Sequence, residues 1–303
     1  MQRTLHIPES FARTIVELYA DDGVAWLKRL PSIMTSCAQR WSLTILPPFP
    51  NLSYNYVAPA VRADGAAVVL KLGVPNPELL TEIAALRLYD GRGSVALLDA
   101  DPDLGALLLE RLRPGRLLAQ LTDDEKATMI AAQVMRQLWR PAPSEHSFPT
   151  VAQWAAGLQR LRAEFGGGSG PFPAAIVAAA ERLFAELLGS MAEPVVLHGD
   201  LHHYNILAAE RQPWLAIDPK GVVGEAAYEV GALLRNRLEG VPDPGRLLAR
   251  RVDQLADVLE LDRERIIGWS VAQAVLSAWW SYEDHGHGWE PAIACAEWLA
   301  ALR

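Results

Sequence analysis

Cysteine is scarce in this chain: Cys37 and Cys295 are the only two among 303 residues. No CxxC spacing accompanies them, so neither a structural zinc cluster nor a dithiol redox motif is present, and both thiols read as small buried hydrophobes of a reducing, cytoplasmic setting. No run approaches the roughly 18 apolar residues a membrane span needs, and the start, "MQRTLHIPES", puts charge and proline where a secretory leader would need an apolar core. Basic residues are also in deficit, 28 against 36 acidic ones, for a net charge of −8. That balance argues against nucleic acid, whose phosphates recruit Lys and Arg, and suits a cationic small molecule instead. Glycine-rich GxGxxG loops are missing as well. Hydrophobic residues make up 50% of the chain, enough for a substantial core, and the length suits one large domain or two lobes.

The periodicity changes along the chain. Ser10 is placed to cap a helix from Phe11 to Leu30, broken near Asp21 to Gly23. After Pro47, Pro48 and Pro50, residues Leu52 to Arg62 are extended in character, Asp64-Gly65 is a hairpin signal, and "AAVVLKLG" returns as a second strand carrying Lys71. Asn76 and Pro77 open a helix with an apolar stripe at Leu79, Ile83 and Leu86, stopped by Gly91 or Gly93. Two further strands surround a turn near Asp101 to Leu104, and "RPG" at 113–115 marks a break. Beyond it the texture is helical: "TDDEKATMIAAQVMRQLW" with a Thr122 cap, "TVAQWAAGLQRLRAEF", a helix near Pro173 to Leu188, and more from about Ala226 onward. The expected division is a nucleotide-binding lobe over 1–113 and a helical catalytic and substrate-binding lobe over 114–303.

Chemistry concentrates in "HGDLHHYNIL" at 198–207, followed by "WLAIDPKGVVGE" at 214–225. A hairpin centred between Arg211 and Gln212 would set Asn205 directly opposite Asp218, so that an amide oxygen and a carboxylate meet at its base. Oxygen donors without sulfur suit Mg²⁺, which shares its shell with phosphates and water. Asp200 would stand beside them with its own carboxylate free. An Asp, then an Asn five residues on, then a later Asp, is the order of a kinase catalytic loop, in which the first Asp takes the acceptor hydroxyl's proton. Such chemistry needs a cation on the nucleotide phosphates, and Lys71 on its strand with Glu82 on the following helix fits. Glu82 borders the apolar stripe and can point inward, whereas Glu78 faces solvent.

These residues, together with "PELLTEIAALRLYDGRGSVALLDAD", "LLLERLRPG" and "LSAWWS", resemble the aminoglycoside phosphotransferases, most closely the streptomycin 6-phosphotransferases grouped with the hydroxyurea-resistance kinases. The resemblance runs from about residue 40 to 285. It implies an α+β, protein-kinase-like two-lobe fold, with a small antiparallel-sheet lobe containing one helix and a larger, mainly helical lobe. It implies ATP- and Mg²⁺-dependent phosphorylation of a hydroxyl on a small molecule such as streptomycin, with Asp200 catalytic, Asn205 and Asp218 on the metal, Lys71 on the ATP phosphates and Glu82 as its partner. Backbone groups of Glu110 and Leu112 would receive adenine, Ser53, Tyr54 or Asn55 would stand in for the missing glycine-rich loop, and Lys220 is a candidate substrate contact. Glu283 and Asp284, beside the aromatic residues that follow, are read from the sequence either as substrate contacts or as a solvated helix end. Tyr204 stands where many relatives carry a polar or acidic residue. A kinase for another metabolite, or a nucleotide-binding regulatory module without transfer activity, are the competing readings.

Other features have plainer explanations. Zinc at His202 and His203, or at His285 and His287, needs three or four ligands and lacks a cysteine or HExxH companion, so His202 is expected to pack inside its loop. Trp279 and Trp280 are expected in the core, although with Tyr282, Trp289, Glu283, Asp284 and Glu290 they could wall a cation site. Glu225 could cap the next helix or touch substrate.

Overall fold

The computed structural model describes residues 7–303, and that chain divides into two compact units. The expectation that the start carries no leader rests largely on residues 1–6 and lies outside the described residues. One unit runs up to Gly91 and takes in Val95–Arg113; the other comprises Arg92–Ser94 and Pro114–Arg303.

The first unit begins with a long helix, α1 (Glu9–Arg40), which bends at Ala20, where the backbone leaves helical angles. It is longer than its sequence pattern suggests, because Pro31 sits inside it without ending it. Ser10 does not cap it: Pro8 precedes the first turn, and the Ser10 carbonyl accepts from the Thr14 hydroxyl instead. Strands β1 (Leu43–Ile45), β2 (Tyr56–Arg62), β3 (Ala67–Leu72), β4 (Leu97–Asp101) and β5 (Ala106–Glu110) form an antiparallel sheet in the order β1-β2-β3-β5-β4. The extended character assigned from Leu52 becomes a strand only at Tyr56, and β1, too short to show a period, escapes sequence reading. One sheet face, with Tyr56, Ala58, Ala60, Val68, Leu70 and Leu72, packs on Phe11, Ile15, Trp26, Leu30, Ile33 and Cys37 of α1. Strand alternation turns Lys71 to the opposite face. Helix α2 (Pro77–Tyr89) follows β3; Asn76 caps it by accepting from the Leu79 N–H, and Pro77 occupies its first turn.

The second unit contains β6 (Pro114–Leu117), α3 (Asp124–Leu138), β7 (Arg140–Pro141), α4 (Val151–Ala155), α5 (Gly157–Glu164) and α6 (Ala174–Gly189). Then come β8 (Val195–Leu197), β9 (Ile206–Ala209), β10 (Trp214–Ala216), β11 (Val222–Gly224), α7 (Val230–Leu234), α8 (Pro244–Leu259), α9 (Arg263–His285) and α10 (Glu290–Ala300). Its strands form two small sheets, β10-β9-β6 and β11-β8-β7, and α9 is buried along most of its length against α6, α7 and α10. The cap of α3 is Asp123 rather than Thr122: the Asp123 carboxylate accepts from the Lys126 N–H, one residue closer to the first helical turn. The single helix expected over 150–165 is two, parted at Ala156.

Helices α3 and α8 are joined by charge. Arg251, fully buried, grips Asp124 through two hydrogen bonds of 2.6 and 3.0 Å and donates to the Asn236 carbonyl; Arg250 also reaches Asp124. Burial raises the Asp124 carboxyl, but Arg251 and Arg250 outweigh it and hold the group below its ordinary range. Removing one partner strands the other in a low dielectric, so Asp124→Ala is expected to destabilise the protein by about 3–5 kcal/mol in chemical denaturation. A loss of a few tenths would show that water reaches Arg251. In the wild type the same pair is retained above the ordinary carboxylate range and is lost as pH falls through the depressed Asp124 value.

Candidate active site

In the first unit, Lys71 Nζ lies 2.6 Å from Glu82 Oε1, and both side chains are buried. The register Lys71↔Leu107 within the sheet and the inward face of α2 bring them together, while Glu78, one turn earlier, is exposed. A buried ammonium at hydrogen-bond distance from a carboxylate is held in one direction, which a phosphate-binding lysine requires. Ser53 is exposed; Asn55 lays its amide oxygen against the backbone of Gly73. At the end of β5, the Glu110 carboxylate accepts from the Ala96 N–H at 3.1 Å, and Leu112 is buried.

In the second unit the segment between β8 and β9 folds into a braced loop. His198 Nδ1 accepts from the Asp200 N–H at 3.2 Å, so its proton lies on Nε2, which donates to the Ile217 carbonyl at 2.8 Å. Gly199 sits at φ +83, and a Cβ there would come within 2.8 Å of the Trp154 ring, so glycine is required twice over. Asn205 Nδ2 donates to the Asp200 backbone carbonyl at 3.0 Å, which turns the amide oxygen the other way. Beneath the loop lies a carboxylate that sequence reading missed. Glu229, fully buried, accepts from the N–H groups of His198 at 2.6 Å and Gly199 at 2.9 Å. Its signal was a lone charge in the apolar run "AAYEVGALL".

The hairpin differs from its expected register by one residue. Trp214 pairs with Ala208, Leu215 with Leu207 and Ala216 with Ile206, so Asn205 faces Ile217, whose N–H donates to the Asn205 carbonyl, and not Asp218. The cause is a three-residue loop, Glu210 to Gln212, closed by the Ala209 N–H on the Pro213 carbonyl, in place of a turn over 210–213 centred between Arg211 and Gln212. Asp218 then leaves the strand in the left-handed region, at φ +58. Its carboxylate nonetheless comes close enough to Asp200 to act on its charge. Desolvation raises Asp200 above the ordinary carboxylate range; His202 and Arg235 pull it down and Asp218 pushes it up. The Asp200 side chain keeps 36% of its exposure, and His202 Nε2 lies 3.6 Å from it.

Several other expectations are corrected here. His203, not His202, is the histidine packed inside the loop: it bonds Asn236 at 2.9 Å, and burial lowers it to about 3, so it is neutral. Glu225 neither caps a helix nor lies open to substrate; it is buried and paired with Arg265 at 2.6 Å. Trp279 is core, but Trp280 is only half-buried. Glu283 is gripped by Arg160 in a two-pronged contact of 2.7 and 2.8 Å, whereas Asp284 is exposed; Lys220 is half-buried, with its Cβ beside Gly199. Tyr204 is exposed. Among the described residues no three His, Cys, Asp or Glu side chains converge on one point. The donor set at hand is instead a carboxylate and an amide oxygen, hard ligands that fit Mg²⁺ sharing phosphate oxygens and water. No helix among the described residues is long and apolar enough to cross a membrane.

Residues 47–285 match the family model described as aminoglycoside/hydroxyurea antibiotic resistance kinase. The chain is 35% identical to a streptomycin 6-kinase of Streptomyces griseus, over 98% of this chain and 97% of that protein. It is 34% identical to a hydroxyurea phosphotransferase of Kitasatospora aureofaciens, over 92% and 81%. Among solved structures, the choline kinase LicA of Streptococcus pneumoniae superposes with a TM-score of 0.64 at 14% identity, over 90% of this chain and 99% of that one. The aminoglycoside phosphotransferase APH(4)-Ia, in ternary complex with ADP and hygromycin B, gives 0.61 at 14%, over 89% and 97%. The fold is therefore protein-kinase-like.

Proposed function

This chain belongs to the aminoglycoside/hydroxyurea antibiotic resistance kinase family, and on that premise we propose that it transfers the terminal phosphoryl group of ATP to a hydroxyl of an aminoglycoside, with streptomycin as the first acceptor to try. Asp200 is the base: it orients the acceptor hydroxyl and takes its proton as the new P–O bond forms and the bond to ADP breaks. Lys71, held by Glu82, binds nucleotide phosphates. Asn205 and Asp218 hold Mg²⁺, which supplies charge neutralisation on the phosphates when bound. Ser53, Asn55 and the backbone at Glu110 and Leu112 remain the nucleotide contacts in this reading. Lys220 and Asp284 remain acceptor contacts; Glu283, already engaged by Arg160, contributes through that pair.

The observation that carries the proposal is the brace on the Asp200 loop: Asn205 is tied to the Asp200 main chain, its amide oxygen turned away, while the Asp200 carboxylate stays partly exposed. A regulatory module has no need of a free base so placed. The test is Mg·ATP turnover against streptomycin, other aminoglycosides, hydroxyurea and choline. Phosphorylated streptomycin supports the assignment, and transfer only to another acceptor moves the substrate class while keeping the chemistry. Nucleotide binding without any product overturns the enzyme reading.

The metal assignment has its own check. Asp218→Ala is expected to abolish the Mg²⁺ dependence of nucleotide affinity, measured by titrating the metal against ATP binding. An unchanged magnesium titration removes Asp218 from that role.

A further inference from the structure

The chain carries ten tryptophans, and two of them meet next to the loop that carries Asp200. Trp279, expected in the core, is buried and encloses itself with Phe165, Phe172 and Tyr282; Trp289 packs on Phe172 at 5.1 Å. Trp154 and Trp280 are only half-buried. Their rings meet at 5.4 Å and 89°, making a corner where a face and an edge join. Trp41 spends its N–H on Asp99, and the N–H groups of Trp26, Trp139, Trp269 and Trp279 are sealed inside. Among the described residues the indole N–H groups of Trp154 and Trp280 have no acceptor and are not sealed, as is also true of Trp214, Trp289 and Trp298; Trp154 and Trp280 differ in meeting each other.

Position gives this corner its meaning. Helix α4 is docked on β11, with the Val223 N–H donating to the Pro149 carbonyl at 2.8 Å, and this fixes the Trp154 ring against Gly199, the residue before Asp200. Gly157, at the start of α5, has no Cβ to keep α9 away: one would lie 2.6 Å from Leu276 and 3.5 Å from Trp280 Nε1. That close approach brings Trp280 of α9 to Trp154 of α4. The Arg160–Glu283 pair also joins α5 to α9, and it cancels its own charge. Aromatic surface thus lies against Gly199, one residue before the base.

We propose that Trp154 and Trp280 form an aromatic platform that binds the acceptor, a polyhydroxylated ring bearing cationic nitrogen groups, and so sets which hydroxyl reaches Asp200. The inference rests on the phosphotransferase reading above and names its specificity residues. An indole face attracts both a nitrogen cation and the apolar C–H face of a saturated ring, and the indole N–H groups can donate to ring hydroxyls. A chain of net charge −8 supports the same preference for cations at longer range.

The experiment compares the full-length wild type with Trp154→Leu, Trp154→Phe and Trp280→Leu, using streptomycin as the probe. Streptomycin affinity is read by calorimetry in the presence of Mg·ADP, and transfer by steady-state kinetics. Trp154→Leu is expected to weaken streptomycin binding and raise its KM by about tenfold, the size of one cation–π or stacking contact, while KM for Mg·ATP holds. Trp154→Phe, which keeps an aromatic face and fills most of the space under α4, restores the greater part. Trp280→Leu weakens binding in the same direction. Unchanged streptomycin affinity in Trp154→Leu overturns the platform, as does a Phe variant no better than Leu, or a wild type that binds no streptomycin. Binding that weakens in Trp154→Leu without any phosphoryl transfer in the wild type leaves the platform standing and overturns the phosphotransferase reading instead.

Discussion

Replacing Asp200 with Asn lowers turnover by at least about 10²-fold, and by as much as about 10⁴-fold, with ATP affinity retained. The substitution is informative because of how the loop is held. Asn205 donates to the Asp200 main-chain carbonyl, His198 accepts from the Asp200 N–H, and Glu229 accepts from the two preceding N–H groups; none of these contacts uses the Asp200 side chain. An amide therefore inherits the same main-chain scaffold and lacks the basic carboxylate that takes a proton. The pH profile offers a second reading of the same group. Desolvation and Asp218 raise Asp200, so the wild type loses its base as pH falls through a value above the ordinary carboxylate range of about 4. Asp200→Asn has no such acid limb in its residual rate. Near-normal turnover in the variant, or an acid limb that survives it, would assign the proton transfer elsewhere.

The parts of this site that sequence discloses are those in which spacing alone forces a neighbourhood. Lys71 and Glu82 can be paired from sequence because a strand and a helix stripe each allow one inward direction, and the structure puts their charged atoms 2.6 Å apart. The hairpin shows where such reasoning stops. Counting outward from a turn requires its centre, and a three-residue loop centred on Arg211, half a residue from the expected centre, moves Asn205 from Asp218 to Ile217. Side chains whose partners come from distant segments stay silent. Trp154 reaches Gly199 across 45 positions, and Glu229 reaches His198 across 31. Nothing local marks either contact, although a single acid inside an apolar stretch, as at Glu229, is a reason to look for buried donors. Glu225 carries the converse lesson: an acid at a helix start suggests a cap, and the tertiary partner Arg265 takes it instead.

Glu229 is the residue whose loss should damage both stability and rate. Glu229→Ala leaves the buried His198 N–H without an acceptor, costing about 1–3 kcal/mol, strips the half-buried Gly199 N–H of its partner as well, and adds a cavity. Glu229→Gln keeps one acceptor but sets its NH₂ against the other donor, so about 1–3 kcal/mol is expected from that mismatch. Both variants loosen the peptides that lead into Asp200, and turnover should fall more than ATP affinity does. Burial pushes the Glu229 carboxyl from 4.5 up to about 7, against the two N–H bonds that favour its charge. An acid raised in this way binds more protons folded than unfolded, so its contribution to stability is fully present below about pH 4.5 and is lost as pH rises through about 7. Gln does not titrate. The stability gap between the wild type and Glu229→Gln should therefore narrow by about 2–3 kcal/mol between pH 5 and pH 8, measured by chemical denaturation at each pH. A gap that stays constant would mean that Glu229 holds the same charge throughout that window, and the two N–H bonds would then be strong enough to keep a fully buried carboxylate ionised against its desolvation.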